Sequence, residues 1–154
     1  MKSVITGAGG DIGGAIARAF AKRGDSLALL YHSNESAARA LADELAEYGA
    51  MIVTKQIDWS DAAATEAALD ELARSFGAPD VLVNAAGVSE VASVFDTTPE
   101  TWDKVFAINA RAVFLASKWA ARQMIYGGRI LSISSGYMFW PEGPSIMLLH
   151  LPFR

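Results

Sequence analysis

The residues with the plainest chemical meaning stand at the start of the chain: Thr6-Gly7-Ala8-Gly9-Gly10-Asp11-Ile12-Gly13. A short apolar strand, Val4-Ile5, runs into them. Ile12, Ala15, Ile16, Ala19 and Phe20 then recur at helical spacing. A glycine turn between a strand and a helix lets backbone N–H groups approach a pyrophosphate, and the helix points its positive end at the same anion. Gly7, Gly9 and Gly13 are the positions this chemistry needs. Taken alone, Gly9-Gly10 could be a plain tight turn; the strand before it and the amphipathic helix after it favour a nucleotide. Asp11 is a carboxylate close to the expected phosphates. At a helix N-terminus Asp is also a good cap, worth about 1 kcal/mol, so Asp11 is expected to cap the helix and point away.

The second set of residues bears on which dinucleotide would fit. An acid about 20 residues past the glycines would grip the ribose 2′-hydroxyl of NAD. Here the second strand ends Tyr31-His32-Ser33-Asn34, with no acid before Glu35. That leaves room for a 2′-phosphate, with His32, Ser33 and Asn34 as donors, although no arginine stands in the usual places. NADP is the expected cofactor and NAD the alternative. For His32 an exposed residue at a strand end is an equal reading.

These residues need elements to hold them. Apolar strands are expected at Val4-Ile5, Ser26–Tyr31, Met51–Ile57, Asp80–Asn84 and Arg129–Ser134. Between them lie helical patterns: one ended by Gly24, one over Ala37–Tyr48 with Asn34 as N-cap, and one capped by Ser60 or Asp61 and running to Phe76. A long one, capped by Thr98, runs from Glu100 to Met124. Strands alternating with helices of this length predict an α/β fold, a Rossmann-like doubly wound parallel sheet of about five strands. The unbroken run Leu27-Ala28-Leu29-Leu30 suits a strand buried on both faces.

With 154 residues, 52% hydrophobic and 19% charged, the chain reads as one ordered domain. A net charge of −4 gives no footprint for nucleic acid. There is no cysteine, hence no disulfide or thiolate chemistry. His32 and His150 are the only histidines, and neither has metal-ligand spacing. No signal peptide or membrane-length apolar run is visible, so a cytoplasmic protein without membrane partners is expected.

Further landmarks follow in order. Asn84-Ala85-Ala86-Gly87 follows the fourth strand, Asp58-Trp59 follows the third, Asn109 lies in the long helical region, and Gly128-Arg129-Ile130-Leu131-Ser132-Ile133-Ser134-Ser135 forms the fifth strand and its end. Together with Thr6–Gly13 they resemble the short-chain dehydrogenase/reductase family from residue 1 to about 147. Asp11 departs from that family's usual second glycine. The resemblance implies hydride transfer between NADP(H) and a small carbonyl or alcohol substrate, and homo-oligomers among full-length relatives. It implies cofactor contacts from Gly7, Gly9, Asp11, Ile12, Gly13, His32, Ser33, Asn34, Asp58, Trp59, Asn84, Ala85, Ala86 and Gly87. It makes Ser135 the substrate-binding serine and Asn109 a structural and proton-relay asparagine. Without it, Ser134 or Ser135 would be a strand-end hydroxyl and Asn109 a buried amide.

The family's catalytic tyrosine and lysine would fall at 148 and 152, where this chain has Leu148 and Pro152. A phenol is a poor base until a cation sits beside it, and losing a positioned general acid costs about 10²–10⁴-fold. The chain is therefore expected to be inactive alone. Its last residues, 148–154, fit no part of the pattern and read as an aberrant tail on a shortened domain, consistent with a shifted reading frame. The alternative is a non-catalytic dinucleotide-binding pseudoenzyme or partner subunit. The long helix, with Trp102, Val105, Phe106, Val113, Phe114 and Trp119, would then supply an interface, although most of these suit a core.

Overall fold

The computed structural model describes residues 1–90, 92–93, 95–125 and 127–134. Five strands form one parallel sheet: β1 (Lys2–Thr6), β2 (Ser26–Tyr31), β3 (Ile52–Gln56), β4 (Val81–Asn84) and β5 (Arg129–Ser132). Their spatial order is β3-β2-β1-β4-β5. The order reverses between β1 and β4, and the crevice at their carboxyl ends is where such sheets bind ligands.

Side chains of a strand alternate between faces, and here both faces are covered. Val4, Ala28, Leu30 and Leu82 pack with Leu69, Leu72 and Phe76 of helix α3 (Ala62–Phe76) and with Ala116 and Trp119 of helix α5 (Ala112–Gln123). Ile5, Leu27, Leu29, Val81 and Val83 pack on the opposite face. Their partners are Ala17 and Ala21 of α1 (Asp11–Lys22) and Leu41 and Leu45 of α2 (Glu35–Ala46). Burying each large aliphatic or aromatic side chain contributes about 1.5–3 kcal/mol. The two-sided demand explains the apolar run in β2. β5 is the outer strand among the described residues, and all four of its residues are exposed.

Helix starts follow local chemistry. Asn34 caps α2 by accepting from Ala37 N. Asp61, rather than Ser60, caps α3 by accepting from Ala64 N. Thr98 accepts from Thr101 N and caps α4 (Pro99–Phe106). The expected Asp11 cap is not formed: Gly10 is the N-cap of α1, and Asp11 is the first helical residue. With Gly10 extended at ψ 169°, the helix begins one residue earlier than a cap at Asp11 requires.

The expected continuous helix from Glu100 to Met124 is also corrected. A π-helical turn, Ala107–Arg111, separates α4 from α5. One residue too many for regular winding is accommodated there. Of the apolar residues singled out along it, Val105 and Trp119 are buried, whereas Trp102 is 39% and Phe114 58% exposed.

Candidate functional site

The site is assembled where β1 and β4 end side by side. Thr6 closes β1 and pairs in register with Asn84, the last residue of β4. The buried Thr6 Oγ1 accepts hydrogen bonds from the amides of Ala85 (3.0 Å) and Ala86 (2.9 Å). It thereby folds the Asn84–Gly87 segment against the glycine turn. Asn84 is buried, and its Nδ2 donates to Ser117 Oγ (3.1 Å) and Ser132 Oγ (3.3 Å). One amide therefore ties β4 to α5 and β5. Its Oδ1 is buried and has no partner among the described residues.

The turn itself is compressed. Gly7 has φ +68°, and a Cβ there would stand 2.7 Å from Ala86 Cα. A Cβ on Gly13 would lie 2.3 Å from the Gly7 carbonyl oxygen. Only hydrogen at these positions lets helix, turn and the Ala85–Ala86 backbone come together. The first helical bond runs from Gly14 N to Gly10 O. The amides of Asp11, Ile12 and Gly13 therefore belong to the unsatisfied first turn, which suits an anion. Gly10, with no side-chain cap, leaves that end open.

A cleft of about 340 Å³ lies over this floor, lined by Gly7, Gly9, Gly10, Tyr31–Asn34, Trp59, Ala85–Val88 and Ile108. Among the described lining residues no side chain is a carboxylate, and His32 is the one basic side chain. The sequence-predicted Gly7, Gly9, His32, Ser33, Asn34, Trp59, Ala85, Ala86 and Gly87 thus share one cleft. Gly13 is buried and sits against the Gly7 and Ala8 backbone. Ile12 is 58% exposed on the first turn of α1. Asn84 is buried, outside the lining.

At the rim, His32 Nδ1–H donates to the Ile57 carbonyl (3.1 Å). Asp58 Oδ1 lies 4.0 Å from the same nitrogen. Asp58 also accepts from the Ser60 hydroxyl (2.6 Å) and amide (2.9 Å). These two bonds hold the exposed Asp58 carboxyl below its ordinary range, with a smaller contribution of the same sign from His32 and desolvation opposing them. Glu35, the first acid after β2, is engaged by Arg39 Nε at 2.8 Å. Asn34 Oδ1 is committed to the cap, receiving Ala37 N and the Ser36 hydroxyl.

Asn109 lies in the π turn. Its Oδ1 accepts from Val88 N (2.9 Å) and its Nδ2 donates to Val88 O (2.8 Å), so one amide grips both ends of one residue's backbone. Ser135, Leu148, Pro152 and the tail 148–154 lie outside the described residues. Thr6 and Ser132 stand inside motifs quoted from the sequence but were given no role of their own there, and Ser117 was not singled out. Thr6 had a local signal, since it opens the glycine turn; Ser117 had none.

The model of the short chain dehydrogenase family matches residues 2–143. Versicolorin reductase 1 of Aspergillus parasiticus is 35% identical over 133 residues, covering 86% of this chain and 51% of the relative. The chain thus spans about half the length of the curated relatives it matches. A short chain dehydrogenase from Burkholderia cenocepacia, solved in complex with NADP, superposes with a TM-score of 0.88 at 34% identity, covering 94% of this chain and 59% of that one. A blue fluorescent protein from a metagenomic library, solved in complex with NADPH, gives 0.87 at 32%, again over 94% and 59%. With the family model matching almost all of its residues over a parallel sheet that carries the glycine turn, this chain belongs to the short chain dehydrogenase family.

Proposed function

We propose that this chain is the dinucleotide-binding part of an oxidoreductase that transfers a hydride between NADP(H) and a small carbonyl or alcohol compound. The observation that carries the reading is the glycine cradle: Gly7 and Gly13 are packed so closely that no side chain fits, and the first-turn amides face an open helix end. NADP(H), when bound, supplies or accepts the hydride. The amides of Asp11, Ile12 and Gly13 would hold the pyrophosphate. Ala85–Gly87 would border the nicotinamide half, and Tyr31 and Trp59 the adenosine half.

NADP is preferred over NAD because the described cleft lining has no carboxylate to bind a 2′-hydroxyl, and Glu35 is engaged by Arg39. His32, Ser33 and the free amide end of Asn34 remain for a 2′-phosphate. Ser135 would contact the substrate oxygen, and Asn109 would keep the Val88 backbone in place beside it. Calorimetric titration tests the reading: NADPH should bind with a lower Kd than NADH. Equal affinities would remove the NADP preference, and no binding of either would remove the function.

One observation favours a second reading, binding without turnover. Leu148 and Pro152 stand where the family has its tyrosine and lysine. In that case the chain binds NADPH yet oxidises none of it in the presence of aldehydes and ketones. Turnover by the purified chain would exclude this.

A further inference from the structure

We infer that Arg111 is a positioning residue for the adenosine end of the cleft: from the π turn it reaches the connection between β3 and α3 and fixes the backbone beside Trp59. The inference rests on the dinucleotide reading above and concerns what keeps one wall of that cleft in place.

Trp59 lines the cleft and is 2% exposed, on the connection that leaves β3 after Gln56 and enters α3 at Ala62. Its ring belongs to the core cluster that also holds Leu69 of α3 and Ala112 and Ala116 of α5. The first part of the connection is tied to neighbouring elements. Ile57 N donates to the Tyr31 carbonyl (2.8 Å), and Thr65 Oγ1 donates to the Asp58 carbonyl (2.8 Å). The residue after the tryptophan is held differently. Ser60 bonds back to the Asp58 carboxylate through its amide and its hydroxyl. Those bonds close a local turn and anchor it to no other element. The Ser60 carbonyl lies ahead of the helix, whose first bond runs from Thr65 N to Asp61 O, so the ladder of α3 does not take it up.

Arg111 supplies that partner. Its Nη2 donates to the Ser60 carbonyl at 2.6 Å, across 51 positions of sequence. A guanidinium bonded to a carbonyl makes a charge-assisted bond, stronger than a neutral one. The planar fork also loses less freedom in making it than a lysine stem would. The same turn, Ala107–Arg111, carries Ile108, which lines the cleft, and Asn109, which grips Val88. One short turn therefore fixes backbone at two parts of the cleft, Val88 through Asn109 and Ser60 through Arg111. A wall held before the ligand arrives need not be ordered by it, which leaves more of the contact energy as affinity.

The test compares the full chain with Arg111→Met, which keeps the stem and removes the donors, and with Arg111→Lys, which keeps a cation. Calorimetry gives Kd for NADPH and for adenosine 2′,5′-bisphosphate, which carries the adenosine end alone. Arg111→Met should weaken both ligands by the same factor, about tenfold, the scale of one charge-assisted hydrogen bond. Arg111→Lys should lie closer to the unaltered chain than Arg111→Met does. In the ligand-free proteins, NMR relaxation should show a lower order parameter for the Ser60 N–H in Arg111→Met, with Val88 and β2 unchanged. Unchanged affinity for the adenosine fragment in Arg111→Met, or an unchanged Ser60 order parameter, overturns the inference and leaves dinucleotide binding standing. So does loosening spread evenly over Ser60, Val88 and β2, which would make Arg111 a general stabiliser. Failure of the unaltered chain to bind either ligand overturns the cofactor reading and this inference with it.

Discussion

At the scale of single residues, two side-chain choices hold the site floor. Gly13 has no room for a Cβ, because the Gly7 carbonyl would be 2.3 Å away. Gly13→Ala should destabilise the fold by about 1–3 kcal/mol, as overpacking does. It should also weaken NADPH binding by at least about tenfold through loss of one anion contact. Urea melts and NADPH fluorescence titration check both effects; unchanged affinity would contradict the cradle. Thr6 is the second. Its oxygen accepts from the amides of both Ala85 and Ala86. Thr6→Val keeps the shape and removes the acceptor, and should cost about 2 kcal/mol or more. Thr6→Ser keeps the oxygen and should cost only about 1 kcal/mol for the lost methyl. Equal losses in the two variants would mean that the hydroxyl holds nothing.

At the scale of elements, the π turn between α4 and α5 matters most. Single π turns inside helices occur often at functional sites. This one carries Asn109, whose amide bonds both the N–H and the C=O of Val88. Asn109→Ala leaves those two backbone groups unpaired, at a cost of about 1–3 kcal/mol. The Val88 amide should then exchange with solvent faster than in the unaltered chain, while amides in β2 keep their protection. Uniform acceleration would instead indicate global destabilisation. The cap at the other end of α4 is a separate matter. Thr98→Ala should cost about 1 kcal/mol in denaturant melts and leave the exchange of Val88 unchanged.

At the scale of the whole molecule, the end of the sheet opposite the site is held by a buried charge. Asp25, 2% exposed, accepts from the Ser3 hydroxyl (2.8 Å) and from both Arg23 Nε (3.1 Å) and Nη2. Burial alone would raise its pKa; the hydrogen bonds from Arg23 and Ser3 and the Arg23 charge outweigh it and hold the carboxyl below its ordinary range. An acid whose folded pKa is depressed contributes stability that is complete above its unfolded value, about 3.9. That contribution is lost as pH falls through the lower folded value. The chain should therefore lose urea resistance below about pH 4. Asp25→Asn should be less stable at pH 7 by about 1–3 kcal/mol and should lack that component of the acid slope. Parallel pH profiles for the two proteins would show that Asp25 does not carry it.

Much of this architecture was legible in the chain. Strand and helix periods, the glycine turn, and the caps Asn34 and Thr98 depend on residues within about four positions of one another, the reach of local rules. Even locally, two details escaped. The backbone at Gly10 moved the α1 cap off Asp11, and the π turn broke a pattern that apolar spacing alone leaves continuous. The site needed more. Thr6 meets Ala85 across 79 positions, Asn84 meets Ser117 across 33, and His32 meets the Ile57 carbonyl across 25. The sequence by itself determined a parallel sheet with a phosphate-ready turn, because alternation and glycine placement are local properties. Tertiary structure alone decided which amides Thr6 holds, which ring nitrogen of His32 is left for a ligand, and which backbone Asn109 grips. Those outcomes depend on strand order and register, which bring distant residues within hydrogen-bond range.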